Sequence, residues 1–351
     1  MKLDLLNSIS GLLANPDLNE IKNEFADLLK TIKKSKKKYV DLENGYSSVT
    51  KEFLEREINQ ILETHTIERT KYYIKRLKKS LTETKQSKIN DLNLNRWKEY
   101  DDIITDSLWI LNKRDNSGVH HAGYWGNFIP QIPNQFLRRY TKKGEWILDP
   151  FLGSGTTLIE SQRLGRNAVG VELSKKVLVQ TKNNIAKESN PDKIKLEFVN
   201  GDSSSVDFKN ILSSLKIKSF QFQIFHPPYW DIIKFSDNKS DLSNAESIEE
   251  FLNSFGKVLD NCLPHLEKKR FAAVVISDKY SNGEWIPLGF YVMQEVLKRG
   301  MILKSTIVKN FDETTAKRNQ KELWRYRALA GGFYVFKHEY IFIFQKKSST
   351  H

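Results

Sequence analysis

Two short turns hold the residues best suited to chemistry. The first is Asp149-Pro150-Phe151-Leu152-Gly153-Ser154-Gly155-Thr156-Thr157, leaving the apolar run Trp146-Ile147-Leu148. The second is His226-Pro227-Pro228-Tyr229-Trp230, leaving the apolar run Phe220 to Phe225. Glycines let a backbone come close to a ligand, and Ser154, Thr156 and Thr157 are suited to open a helix as caps. Proline has no N–H, so the second turn offers carbonyl acceptors without competing donors, beside the flat faces of Tyr229 and Trp230. Ligands of α/β sheets collect at the carboxyl ends of strands, so both turns belong to one expected crevice.

Carboxylates recur at the following strand ends. Gly170-Val171-Glu172 comes about twenty residues after the glycine turn, where an acidic side chain accepts hydrogen bonds from a ribose diol. Asn200-Gly201-Asp202 closes the next run. A helix cap for Glu172 and a turn residue for Asp202 are the alternatives; together with the glycines they favour a nucleoside-type cofactor. Leu158 stands where a nicotinamide fingerprint needs its third glycine, which turns the expectation toward another adenosine cofactor.

The elements that must position these residues alternate. Strands are expected at Trp146–Asp149, Ala168–Glu172, Leu196–Val199, Phe220–Phe225, Phe271–Ser277, Ile302–Val308 and Tyr340–Phe344, the last suiting an antiparallel edge. Helices are expected at Thr157–Leu164, Lys175–Glu188, Ile248–Leu263 and Leu288–Arg299. That alternation predicts an α/β fold with a doubly wound, mostly parallel sheet. Residues 1–95 differ, with helical spacing in Ile21, Phe25, Leu28-Leu29 and Ile32, again in Phe53-Leu54, Ile58 and Ile61-Leu62, and again over Thr66 to Leu81. No strand signal occurs there, and Glu43-Asn44-Gly45-Tyr46 reads as a turn. The expected organisation is a helical region over 1–95 and a catalytic domain over 96–351.

The net charge is +13, from 56 Lys and Arg against 43 Asp and Glu, with 20 Phe, 13 Tyr and 7 Trp. Basic charge with many rings suits nucleic acid, and a solvated lysine-rich surface is the alternative. One cysteine, Cys262, excludes an intrachain disulfide framework. His120-His121 and His338 lack metal-ligand spacing, so no metal is expected. No apolar run nears the roughly 18 residues of a membrane span, and the start lacks a signal-peptide pattern; a cytoplasmic location is expected.

The glycine turn, with Gly165-Arg166-Asn167-Ala168-Val169-Gly170-Val171-Glu172 downstream, resembles the S-adenosylmethionine motif of DNA amino-methyltransferases. His226-Pro227-Pro228-Tyr229-Trp230 resembles their catalytic motif, (Asp/Asn/Ser)-Pro-Pro-(Tyr/Phe/Trp). The resemblance runs from Val119 to Lys347, and implies a seven-stranded Rossmann-like class I methyltransferase sheet with helices on both faces. It implies methylation of cytosine N4 or adenine N6 in double-stranded DNA with the target base flipped out. Cytosine is slightly favoured, because the first catalytic position is not acidic. Base-amine methylation of RNA, and an inactive nucleic-acid-binding form of the fold, are the alternatives. A cognate restriction endonuclease and a homodimer are the protein partners it suggests, with DNA recognition, dimerisation or partner binding for residues 1–95.

By the same resemblance, Asp149, Pro150, Phe151, Gly153, Gly155, Thr156, Thr157, Glu172 and Asp202 hold the cofactor. Trp125 and Phe128, in Tyr124-Trp125-Gly126-Asn127-Phe128-Ile129-Pro130, pack on its methionine end; an aromatic wedge under the sheet is the alternative. His226 and Pro227 accept the two amine hydrogens, Pro228 shapes the turn, and Tyr229 stacks on the base. His226 departs from the motif, since a ring nitrogen accepts only when unprotonated; activity is then expected to fall as pH drops through about 6.5. A turn-capping histidine is the alternative. Trp230 and the segment Asp231-Ile232-Ile233-Lys234-Phe235-Ser236-Asp237 are expected to edge the base pocket, with an ordinary surface loop as the alternative for the segment. Lys317, Arg318, Lys321, Arg325 and Arg327 are expected to grip phosphates, unless they ride on a surface helix with core-facing Leu323 and Trp324.

Overall fold

The computed structural model describes residues 2–3, 5–42, 48–121, 123–124, 126–311, 321–335 and 337–348. The chain divides into two compact units, Met1–Ile103 and Ile104–His351. Residues 43–46 lie outside the described residues.

The first unit holds β1 (Lys2–Leu3), α1 (Leu5–Ala14), α2 (Leu18–Lys34), β2 (Tyr39–Leu42), β3 (Ser48–Thr50), α3 (Lys51–Leu62) and α4 (Ile67–Thr82). Ile21, Phe25, Leu29 and Ile32 of α2 bury against Phe53, Leu54 and Ile58 of α3 and Ile74 and Leu77 of α4. Asp17 caps α2 through the amides of Asn19 and Glu20, and Thr66 caps α4 through that of Arg69. The three strands correct the all-helical expectation: β1 pairs parallel with β2, and β2 antiparallel with β3. None exceeds four residues, too short for alternation to emerge from a window of sequence.

The second unit holds β4 (Leu108–Trp109), α5 (Gln131–Tyr140), β5 (Trp146–Asp149), α6 (Thr156–Leu164), β6 (Asn167–Glu172), α7 (Lys175–Ile185), β7 (Leu196–Asn200), α8 (Phe208–Leu215), β8 (Phe220–Phe225), α9 (Ile248–Cys262), β9 (Leu266–Ile276), β10 (Lys279–Ser281), β11 (Glu284–Ile286), α10 (Leu288–Lys298), β12 (Ile302–Asn310), α11 (Lys321–Gly331) and β13 (His338–Gln345). Eight strands form one sheet in the order β4-β12-β13-β9-β8-β5-β6-β7. The run from β9 to β7 is parallel, and β13 is antiparallel to both β9 and β12. The sheet therefore has one strand more than expected, because the two-residue β4 adds to β12. β13 is an interior strand, not an edge, and the β10–β11 hairpin was not foreseen.

Alternation sorts the side chains to two faces. Leu148, Val169, Val171, Val274 and Phe342 join a core with Phe208 of α8, Phe255 of α9 and Val292 of α10. Phe222, of opposite parity on β8, meets the Phe136 and Tyr140 rings of α5, with centroids 6.1 and 5.8 Å away. Helices thus cover both faces, and continuous apolar runs such as the fully buried β5 follow from that. The strand order reverses at β5, with β6 on one side and β8 on the other. The crevice at that reversal opens at the carboxyl ends of β5 and β8, the ends of the two turns.

Candidate active site

Residues 150–155 turn from β5 into α6. Gly155 stands at φ +80° at the start of α6, and a Cβ there would come within 2.6 Å of Thr181 Cγ2 and 2.8 Å of Ile185 Cδ1. The glycine is needed for backbone shape and for packing on α7. Asp149 is buried and accepts the Phe151 amide at 3.0 Å. Burial pushes its carboxyl up to about 6, and nearby Glu172 adds to the rise. Glu172 accepts the Gly153 amide at 3.0 Å and the Ser174 amide at 2.8 Å. Burial raises its pKa too, opposed by those amides. Asp202 accepts the Ser204 amide at 2.8 Å.

The turn after β8 places His226 Nε2 3.1 Å from the Tyr229 hydroxyl, which donates to Glu339 Oε2 at 2.9 Å. Glu339 Oε1 lies 2.9 Å from Lys309 Nζ. Lys309 and Glu339 face one another as paired residues of β12 and β13. The Phe128 ring meets the His226 ring edge-on at 4.7 Å. Burial lowers the His226 pKa to about 4, with Lys309 lowering it further and Glu339 opposing. Burial thus favours the neutral imidazole and moves the midpoint to the acid side of the expected 6.5. Tyr229 is held well above its ordinary value by burial and by Glu339.

One cavity of about 890 Å³ is lined by Phe128, Asp149, Pro150, Phe151, Gly153, Thr156, Glu172, Asp202, His226, Pro227, Pro228 and Tyr229. Gly155 and Thr157 do not line it: the glycine turns toward α7 and Thr157 is fully buried. Trp230 does not line it either. Its indole N–H donates to the Ala245 carbonyl at 2.8 Å, and the Lys279 ammonium sits 4.1 Å from its ring centre. Lys234 is off the cavity, paired with Asp237 at 2.7 Å, although Ile232, Ile233 and Phe235 of the same segment line it. Arg325 and Arg327 are exposed on α11, with the Arg327 guanidinium 5.3 Å from the Trp324 ring. The core-facing alternative for that helix fails at Leu323, which is 43% exposed. Trp125, Lys317, Arg318 and the side chain of Lys321 lie outside the described residues.

Further wall residues were not singled out one by one, although Tyr124, Asn127 and Phe235 lie in segments expected at the site. The Tyr124 ring lies over Gly153 and stacks with Phe235 at 6.2 Å. Asn127 donates to Ser154 Oγ at 3.1 Å, and Arg114 donates to the Phe128 carbonyl at 3.1 Å. Lys309 and Glu339 were missed as well. Both lie just outside the expected strands Ile302–Val308 and Tyr340–Phe344, so no local signal marked them. The wall fits an adenosine cofactor: Glu172 and Asp202 present carboxylates suited to hydroxyls and amines, and Phe151 and Leu173 offer apolar surface.

The comparisons with known proteins agree. The family described as DNA methylase, N6_N4_Mtase, matches residues 13–183 and 220–351. The Type II methyltransferase M.MjaII of Methanocaldococcus jannaschii is 46% identical over 57 residues, 16% of this chain and 10% of that protein. The Type II methyltransferase M2.DpnII of Streptococcus pneumoniae is 37% identical over 90 residues, 24% of this chain and 30% of that one. A second M. jannaschii protein, named for methylation of large-subunit ribosomal RNA, is 27% identical over 242 residues, 66% of this chain and 56% of its own. The chain thus spans between a tenth and a little over half of these curated relatives. Among solved structures, TrmN from Thermus thermophilus matches 63% of this chain and 50% of its own at 16% identity, with a TM-score of 0.40. With the family match spanning most of its length, the chain belongs to the N6/N4 DNA methylase family, whose methyl donor is S-adenosylmethionine.

Proposed function

We propose that the chain methylates the exocyclic amine of a DNA base turned out of the duplex, cytosine N4 ahead of adenine N6. The observation that carries this reading is the shared cavity, with Asp149–Ser154 on one wall and His226–Tyr229 on another. The cofactor, when bound, supplies an electrophilic methyl group. Glu172 holds its ribose by accepting hydroxyl hydrogens, and Phe128 and Tyr124 close the methionine end. An exocyclic amine is a poor nucleophile because its lone pair is delocalised into the ring. A neutral His226 nitrogen accepts one amine hydrogen and the Pro227 carbonyl the other, which returns electron density to nitrogen and aims its lone pair. The Tyr229 ring holds the base plane, and much of the remaining rate comes from alignment. Exposed Arg325 and Arg327 supply phosphate contacts.

A second reading, methylation of a base amine in RNA, is favoured by the relative named for ribosomal RNA. One experiment separates the two. Protein is incubated with cofactor carrying an isotope-labelled methyl group, and with either duplex DNA or ribosomal RNA. The acceptors are then digested to nucleosides and weighed by mass spectrometry. Label on deoxycytidine N4 supports the first reading. Label confined to RNA nucleosides replaces it with the second, and label in neither refutes both.

A further inference from the structure

The wall opposite the glycine turn carries a chain of four groups whose hydrogens can be counted. Lys309 and Glu339 are buried, their side chains 5% and 10% exposed, and they are paired at 2.9 Å. In that ion pair Glu339 is a carboxylate partner to the ammonium, since a lone buried charge is costly. An ionised carboxylate only accepts. The 2.9 Å contact between Glu339 Oε2 and Tyr229 Oη therefore uses the one hydrogen of the tyrosine hydroxyl. His226 Nε2, 3.1 Å from the same Oη, meets an oxygen lone pair. Only a protonated Nε2 completes that contact, and a neutral imidazole has one ring hydrogen. Nδ1 is left bare, with no hydrogen-bond partner among the described residues.

We propose that the Glu339–Lys309 pair, acting through the Tyr229 hydroxyl, fixes neutral His226 as its Nε2–H tautomer and leaves Nδ1 to accept the amine hydrogen. The pair line the cavity and are positioning residues, acting on the amine through Tyr229 and His226. The assignment of the amine to Nδ1 rests on the function proposed above; the tautomer does not. The groups facing His226 are Tyr229 on its own turn, Lys309 on β12, Glu339 on β13 and the uncharged Phe128 ring. The direction of every hydrogen in the chain is set by the one group unable to donate, Glu339.

The test reads imidazole nitrogens by NMR in protein labelled with ¹⁵N-histidine, with the His226 signals assigned by their loss in His226→Gln. At neutral pH the wild-type ring should show a protonated Nε2 and a bare Nδ1. Glu339→Gln lets an amide N–H donate to Tyr229 Oη, so the hydroxyl can donate to Nε2 and the ring should move toward the Nδ1–H form. Tyr229→Phe cuts the relay with the ion pair intact, and should also release the tautomer. It serves if Glu339→Gln unfolds. In methyl transfer, Glu339→Gln should lower kcat by about 10²-fold or more with cofactor KM unchanged. A wild-type ring protonated on Nδ1, or a tautomer unmoved by both variants, overturns the proposal. A moved tautomer with no transfer to nucleic acid, even by wild type, refutes the substrate reading alone. A moved tautomer with an unchanged kcat overturns the positioning role.

Discussion

Gly155→Ala tests what the glycine turn is for. At φ +80° an alanine pays roughly 1–2 kcal/mol for the left-handed backbone. Its Cβ would also stand 2.6 Å from Thr181 Cγ2 and 2.8 Å from Ile185 Cδ1, both in the packed interior of α7. Forcing a methyl group into such a place typically costs about 1–3 kcal/mol, so the total is about 2–5 kcal/mol. Gly144→Ala is the matched control: φ is +78°, but nothing lies within 4 Å of the added Cβ. It bears the backbone cost alone, and both variants share the small gain from a stiffer unfolded chain. At about 2–4 °C per kcal/mol for a unit of this size, Gly155→Ala should melt about 2–12 °C below Gly144→Ala. Differential scanning calorimetry measures the two transitions, and titration calorimetry well below them measures cofactor affinity. Because Gly155 does not line the cavity, affinity should change only a few-fold. Equal melting temperatures, with cofactor binding abolished only in Gly155→Ala, would refute the packing argument and restore a ligand-approach role.

Other expectations follow from the same geometry. Asp149 holds its proton to about 6 when folded, against about 3.8 unfolded, so its burden is absent below pH 3.8 and grows as pH rises through 6. Asp149→Asn should therefore stabilise the protein by up to about 3 kcal/mol at pH 8 and by almost nothing at pH 3.5, as urea unfolding would read. His226, near 4 folded and 6.5 unfolded, makes the opposite demand: stability falls as pH drops from 6.5 to 4, by at most about 3 kcal/mol, and His226→Gln should remove that slope. The rate of transfer should stay level from pH 7 to 5 and fall only near 4; a midpoint near 6.5 would show the ring to be solvated. Glu172→Ala should weaken cofactor binding about 10- to 100-fold, the loss of charge-assisted bonds of about 1.5–3 kcal/mol. Replacing Arg325 and Arg327 with alanine should lower the slope of log affinity for duplex DNA against log salt by about 2.

The strands that carry the two turns were readable because each is a short apolar run closed by Gly, Pro or Asp, and a parallel sheet buries such runs on both faces. The two- and three-residue strands β4 and β3 were not, since they hold too few residues for any period. The glycine turn was found, and its second glycine packs against α7 and is absent from the cavity lining. Positive φ reads the same whether a ligand or a neighbouring helix requires it, and only Thr181 and Ile185 decide. Lys309 and Glu339 were hidden for another reason. Their pairing is a matter of register between strands separated by residues 311–337, and locally each sits among other polar residues, Lys309 beside Asn310 and Glu339 after Lys337-His338.

The placement of β13 bears on how the protein is made. It is the last of the sheet's strands to leave the ribosome, yet it occupies a slot between β9 and β12. Until it arrives, β12 and β4 have no route to the rest of the sheet, and an open edge on β9 waits for a partner. Glu339 rides on that same strand. A nascent chain can thus finish its glycine turn early, while the acceptor side of the cavity is assembled only by the closing strand.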